Sequence, residues 1–222
     1  MALTTTEDYL LVTEHIGQKP VLRTRFTTQA YFVFSAVLDL LRQGGLRIVD
    51  GRLALADSKV LTAQPQFLTP LCDRLVTDLP KAVTPEDSLR LVTSWTIANV
   101  LYDGIMGRLQ DQGDVTPQIF QNNLKPHVIA VPQPASRQRV LGELIAAIRD
   151  RRNDSGLVDL WLILAQQDAL RWLINSRDLP DLTTAVADRL AASVDLRATQ
   201  QLTATVGEVI QAKKFWMDSW LS

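Results

Sequence analysis

The chain has 222 residues, of which 46% are hydrophobic and 21% are charged, and its formal net charge is −1. This composition supplies an ample core for one large or two small globular domains, and the balanced charge argues against a strongly basic, nucleic-acid-binding surface. The single cysteine, Cys72, excludes a disulfide framework and a multi-cysteine metal site.

The N-terminal segment predicts a short helix. Thr4, Thr5 and Thr6 precede Glu7, and a threonine hydroxyl three residues before a glutamate can cap a helix start. Gly17 is expected to end this helix. The first residues, MALTTTEDYLL, lack the basic and apolar regions of a signal peptide. We therefore expect a cytoplasmic protein that meets a membrane, if at all, peripherally on its cytosolic face.

A strongly apolar helix and a hairpin follow. The pattern predicts a helix over residues 28–43, which Gly44 ends as a C-terminal glycine commonly does. Residues 46–57 alternate in polarity on both sides of Asp50-Gly51, the pair most favoured in two-residue hairpin turns. The sequence therefore predicts a β-hairpin there.

The middle of the chain predicts two helices and a second hairpin. One helix covers residues 66–78. Another begins after Thr84-Pro85, a cap followed by a proline in the first turn, and runs to about residue 110. Gly113 ends it, and residues 111–134 contain short extended runs around positions 121–123.

Four helices are predicted in the last third, over residues 136–152, 157–174, 180–193 and about 198–220. The segment 157–174 is apolar around nearly its whole circumference in its first half, so it must be buried on all sides or lie in lipid. Gln166, Gln167 and Asp168 interrupt its second half, and charges near a bilayer centre are costly. We therefore predict a mainly α protein, one domain over residues 1–222, packed round this central helix with one or two β-hairpins.

The sequence contains no recognised catalytic, phosphate-binding or metal-binding motif. We interpret Cys72 as a small core residue and His127 as an ordinary surface or edge residue. Asp159 is explained by its place in the first turn of a helix, where carboxylates are favoured. We therefore predict no enzyme activity, no catalytic residue, no metal and no cofactor.

Four segments are candidates for binding. The basic residues form two clusters, for each of which a solvated face is the default and anion or lipid-headgroup binding the alternative: Arg23 and Arg25, and Arg137, Arg139, Arg149, Arg151 and Arg152. Arg23 and Arg25 lie in a loop before a helix start, where backbone N–H groups also favour anions. The tip of the second hairpin carries the apolar residues Ile119, Phe120 and Leu124, which can enter a membrane or a neighbouring subunit. Lys213-Lys214 beside three aromatic residues is typical of a membrane-interface stripe. An aromatic stripe at helical spacing more often packs on the core, so we expect these aromatic residues to be buried against it.

Five segments resemble the Golgi phosphoprotein 3 family, in its short prokaryotic form, and together they span nearly the whole chain: LTTTEDYLLV at 3–12, AVLDLLRQGGLRI at 36–48, GRLQDQGDV at 107–115, PASRQRVLGELIAAI at 134–148 and LVDLWLILAQQDAL at 157–170. The resemblance implies one Golgi phosphoprotein 3-like helical domain around a hydrophobic central helix. It also implies an apolar hairpin used for membrane contact and self-association. In eukaryotic members it implies binding of phosphatidylinositol 4-phosphate and a role as a peripheral adaptor.

The headgroup residues of that family are not kept at the matching positions. The family's tryptophan and first arginine fall near Thr24 and Val33, and its two later arginines fall near Asn99 and Tyr102. Arg23 and Arg25 lie beside the first of these positions and are the candidates to replace them.

Our leading hypothesis is a non-enzymatic, peripheral membrane-associated domain that binds an anionic lipid, with phosphatidylinositol 4-phosphate as the specific candidate. One alternative is a winged-helix-like nucleic-acid binder, because the helix and hairpin at 31–57 resemble a helix followed by a wing. The apolar character of that helix disfavours it. The other alternative is a scaffold that forms homo-oligomers and has no lipid role.

Overall fold

Helices make up most of the computed structural model, which describes residues 3–16, 19–20, 22–121, 126–152 and 154–220. The helices of this described part are α1 (Thr4–Thr13), α2 (Phe26–Arg42), α3 (Ser58–Thr62), α4 (Thr69–Asp78), α5 (Pro85–Leu89), α6 (Trp95–Asp111), α7 (Pro134–Arg149), α8 (Ser155–Gln166), α9 (Leu170–Leu173), α10 (Leu179–Ala192) and α11 (Val194–Trp220). The predicted mainly α fold is confirmed.

The strands form antiparallel pairs with no larger sheet among the described residues: β1 (His15–Ile16) with β2 (Lys19–Pro20), β3 (Leu46–Val49) with β4 (Arg52–Leu55), and β5 (Val115–Gln121) with β6 (Pro126–Pro132). Both predicted hairpins are present. Asp50 and Gly51 have φ angles of 50° and 75°, as their two-residue turn requires. Leu124 and the rest of the predicted tip, residues 122–125, lie outside the described residues.

The core is organised around two helices. Every residue of α2 from position 28 to position 40 is buried, because α1, α6, α8 and α11 pack around it. In α8, residues 157–164 are also buried. The predicted central helix is therefore part of the core, but α2 shares its role.

The predicted single helix over 157–174 is wrong in its second half. α8 ends at Gln166, and Asp168 adopts a left-handed φ of 58°. The Ala169 N–H then bonds back to the Leu164 carbonyl at 2.9 Å, which closes the helix end. Aspartate tolerates this backbone region better than most residues, so no glycine marks the break.

The predicted helix from Thr84 to about residue 110 is also interrupted. The Thr84 cap is confirmed, since its side chain and that of Asp87 form a reciprocal capping box. The chain then passes through α5 and a 3-10 turn, Arg90–Thr93, before Ser94 becomes extended and caps α6.

The predicted threonine cap of α1 is wrong, because its cap comes from another helix. The Asp39 carboxylate of α2 accepts hydrogen bonds from the Thr5 and Thr6 backbone N–H groups at 3.1 and 3.0 Å, and from the Thr6 hydroxyl at 2.6 Å. Glu7 instead pairs with Arg108 at 2.9 Å. The N-terminus of α1 is thereby fixed to the C-terminal half of α2.

The long helices run along one axis. At one end, Arg42 at the C-terminus of α2 pairs with Asp159 near the start of α8. At the other end, the Tyr9 hydroxyl donates hydrogen bonds to Gln167, just after α8, and to the Thr28 carbonyl, near the start of α2. α8 is therefore antiparallel to α2. We call the two ends of this bundle the Arg42 end and the Arg25 end, after the residues that flank α2.

Two further helices follow from similar contacts. The Tyr102 ring of α6 packs edge-on against Phe32 of α2. Further along α6, Arg108 pairs with Glu7, which lies close to the Asp39 cap in the C-terminal half of α2. α6 is therefore parallel to α2 and begins at the Arg25 end. In α11, Thr199 lies 3.4 Å from Arg42 and Gly207 lies beside Tyr31. α11 therefore runs from the Arg42 end to the Arg25 end.

Candidate functional site

Arg23 lies on the loop between β2 and α2, as predicted, but its side chain is mostly covered. Its Nη1 atom is 2.5 Å from Asp103 Oδ1, and its Cζ atom lies 4.6 Å from the centre of the Tyr102 ring. The guanidinium is therefore held by a carboxylate and an aromatic face at once, an arrangement that suits arginine.

Arg25 is the exposed member of the predicted pair. It has extended backbone angles and occupies the N-cap position of α2, whose first turn contains no acidic residue. An exposed cation beside the N-terminus of a seventeen-residue helix is placed where an anion is favoured.

Tyr102 joins Arg23 to the second hairpin. Its hydroxyl accepts a hydrogen bond of 2.8 Å from the Ala130 backbone N–H in β6, and its ring contacts Arg23. The structure thus brings two of the predicted segments, the arginine loop and the hairpin, into one neighbourhood. The sequence pattern gave Tyr102 no role.

The hairpin presents an apolar pair to solvent. Ile119 is directly opposite Val128, and their exposed fractions are 73% and 43%. The next pair toward the tip, Phe120 and His127, is half-buried. Nearer the body, Ile129 and Ala130 are buried. The hairpin is therefore anchored at its base and exposed toward its tip.

Glu14 is a buried carboxyl group in the same neighbourhood. It follows α1 directly, and neither of its oxygens has a hydrogen-bond partner among the described residues. Burial raises the pKa of Glu14 to about 8, and the nearby Tyr102 hydroxyl and Arg23 offset only part of this shift. Nothing in the local sequence distinguishes Glu14 from a surface glutamate, so sequence reasoning missed it.

Phe215 and Trp216, near the end of α11, do not pack on the core, which corrects the expectation from sequence. Phe215, Trp216 and Met217 are exposed, and Lys213 lies 4.4 Å from the centre of the Trp216 ring. Among the described side chains of α11, the last buried one is Ile210.

Another predicted charged group, Asp159, has different surroundings from those expected. Asp159 is fully buried and makes a two-pronged ion pair with Arg42, at 2.5 and 2.7 Å, so the helix-dipole interpretation was incomplete. Burial raises the pKa of Asp159 to about 6 despite this partner. Asp168 and Arg171 form an exposed ion pair at 2.8 Å.

A polar cavity of about 320 Å³ lies between α1, α7 and α8. Carboxylates line it, together with Arg139, which approaches Asp114 and Glu143 at 3.7 Å in both cases. Burial raises the pKa of Asp8 there to about 7. Within the described residues, no group of three or more His, Cys, Asp or Glu side chains is arranged to hold a metal ion.

Cys72 is a buried core residue, as predicted, and burial raises the pKa of its thiol to about 11. In the described ranges, no helix has the length and apolar character needed to cross a membrane.

No model of a known protein family matches this chain, and a search of curated proteins finds no similar sequence.

Proposed function

We propose that this chain is a non-enzymatic peripheral membrane protein that binds anionic lipid headgroups through its Arg23–Arg25 loop. The observation that carries the proposal is the Tyr102 contact, because it places Arg23 beside an exposed apolar hairpin. A cationic loop next to an apolar projection matches the two parts of an anionic bilayer surface, the charged headgroups and the acyl region. The resemblance to the Golgi phosphoprotein 3 family supports the same function, with phosphatidylinositol 4-phosphate as the specific candidate.

The two arginines have different parts in this proposal. Arg25 is exposed and can approach a headgroup directly, whereas Arg23 is paired with Asp103. A lipid phosphate has to compete with the Asp103 carboxylate for Arg23, so removal of that carboxylate should strengthen binding. The gain for each basic residue near an anionic surface is about 1 kcal/mol.

The hairpin supplies the apolar contact. Ile119 and Val128 project from the same face because residues directly opposite in an antiparallel pair point to one side. The tip pair Gln121 and Pro126 continues this face. We expect this part of the hairpin to enter the interfacial region of the bilayer.

The burial of α2 favours lipid over nucleic acid as the partner. A recognition helix must expose polar side chains to base edges and phosphates, and residues 28–40 of α2 are buried. The helix and hairpin at 31–57 therefore have no free helical face for a DNA groove.

Vesicle flotation tests the proposal. The protein is mixed with vesicles of phosphatidylcholine alone, or of phosphatidylcholine with phosphatidylserine or phosphatidylinositol 4-phosphate. We expect flotation only with the anionic vesicles, weaker flotation for the R23Q/R25Q variant and stronger flotation for D103N. R149Q is the matched control, because Arg149 also pairs with an aspartate, Asp178, at 2.6 Å on α7. No binding to any vesicle would overturn the proposal.

Self-association through the hairpin is the second candidate, since an exposed Ile119–Val128 pair also fits another subunit. Sedimentation of the I119D/V128D variant separates the two roles, with V194D as a control, because Val194 is about as exposed as Ile119. A variant that loses self-association but keeps flotation would favour an oligomerisation scaffold over membrane contact.

A further inference from the structure

The last turns of α11 have mostly exposed side chains. Ile210 is fully buried, whereas most of the described side chains that follow it in this helix are exposed. The helix continues to Trp220, which at ~1.5 Å per residue is about 15 Å beyond Ile210 along the helix axis. We call residues 211–220 the α11 extension.

The composition of the α11 extension is that of a membrane-interface segment. Phe215 is 78% exposed, and Trp216 is about half-exposed with Lys213 over its ring. Lys213 and Lys214 outnumber the one acidic residue, Asp218, so the extension has a net positive charge. Aromatic rings with neighbouring cations are favoured at the level of anionic lipid headgroups.

The α11 extension lies at the same end of the bundle as the proposed lipid site. α11 passes Tyr31, near the start of α2, at Gly207, and then continues in the same direction. Lys213 and Trp216 line a groove together with Arg90 and Thr93, and Thr93 lies two residues before the start of α6 at the Arg25 end. The extension therefore lies at the Arg25 end.

Other exposed aromatic residues are found at that end. Trp95 is the first residue of α6 and is 53% exposed. Trp172 is 66% exposed and lies 5.2 Å from Arg171, which pairs with Asp168 just beyond α8. The second hairpin begins after the C-terminus of α6, and its Ala130 backbone N–H donates a hydrogen bond to Tyr102 in the middle of that helix. The hairpin therefore runs back along α6 toward Trp95. The Arg25 end thus combines several exposed aromatic side chains with basic residues.

We infer that the α11 extension is a second membrane anchor, which enters the interface of an anionic bilayer together with the hairpin. This inference rests on the proposed function, because it assigns the orientation in which the Arg25 end faces the membrane. An anionic bilayer is favoured over a protein partner by the net positive charge of the extension and by its position at the Arg25 end of the bundle.

A fluorescent probe on each end of α11 provides the test. In a Cys72→Ala background, NBD is attached to Phe215→Cys or, as the matched control, to Val194→Cys. Val194 is 71% exposed and begins the same helix at the Arg42 end. With phosphatidylserine-containing vesicles we expect a several-fold rise and a blue shift of emission from position 215, and no change from position 194.

The possible results separate this inference from the proposed function. Flotation of the unlabelled protein with a probe at 215 that stays in water would overturn the second anchor alone. Absence of flotation would overturn both. A response at 215 that depends on protein concentration and needs no vesicles would overturn the anchor in favour of a contact between two copies. The F215S/W216S variant should bind the vesicles several-fold more weakly while its circular dichroism spectrum is unchanged.

Discussion

The two ends of α2 differ in whether their charged and aromatic side chains are buried and paired or exposed to solvent. At the Arg42 end, Asp39 caps α1 and Asp159 neutralises Arg42, so these two buried carboxylates have partners within the protein. At the Arg25 end, Arg25, Trp95 and Phe215 are exposed. The difference indicates that the Arg42 end contributes to the stability of the fold, whereas the exposed side chains of the Arg25 end are accessible to an external partner.

The largest expected loss of stability is at the Arg42 end. Arg42→Met leaves the fully buried Asp159 without its cation, and breaking a buried pair on one side costs about 3–5 kcal/mol. Urea unfolding measures this loss. The double variant R42M/D159L should regain most of it, because no isolated charge remains. A loss of less than about 1 kcal/mol in R42M would contradict the assigned role of this pair.

Leu164→Ala tests the core that joins the two ends. Leu164 is fully buried on α8, and a cavity at such a site costs about 2–5 kcal/mol. Thermal and urea unfolding should both report the loss. Unchanged stability would mean that α8 is not a core helix.

The pH dependence of stability should follow Glu14. The pKa of Glu14 is about 8 when folded and has an ordinary value of 4.5. Between these values the unfolded chain releases a proton that the folded protein retains, so the free energy of unfolding should fall as pH rises from 4.5 to 8.

Glu14→Gln removes this titration and should flatten the decline. At a pH above 8 it should be more stable than the parent, on the order of 1–3 kcal/mol. Asp8 and Asp159 have pKa values of about 7 and about 6 and act in the same direction, so the part of the decline that Glu14→Gln removes is the part assigned to Glu14. Parallel curves for parent and variant would refute the assignment.

The smallest effect on stability is expected at the Arg25 end. Phe215→Ser removes an exposed ring and should change the free energy of unfolding by less than about 0.5 kcal/mol. The same variant should nevertheless weaken binding to anionic vesicles, whereas Val194→Ser should change neither property. A large stability loss in F215S would show that this ring packs on the body after all.

Sequence patterns predicted the elements whose signals are local. The apolar run of α2, its Gly44 end and the Asp50-Gly51 turn all follow from neighbouring residues, and the structure confirms them. The Thr84 cap is of the same kind. The loop position of Arg23 was also predictable.

What the sequence did not predict depends on distant partners. The cap of α1 comes from Asp39, more than thirty positions away, and the partner of Asp159 lies 117 positions away. The link from Arg23 through Tyr102 to the hairpin likewise joins three separate segments. Phe215 is exposed because the last buried side chain described in α11 is Ile210, and helical spacing does not show where a helix stops packing on the core.

Flotation of the unmodified protein on phosphatidylcholine vesicles with increasing phosphatidylserine tests the central claim most directly. If the Arg25 end faces an anionic membrane, the bound fraction should rise with phosphatidylserine and fall with added salt, since salt screens exposed charges. Equal binding to neutral and anionic vesicles, or no binding to either, would contradict it.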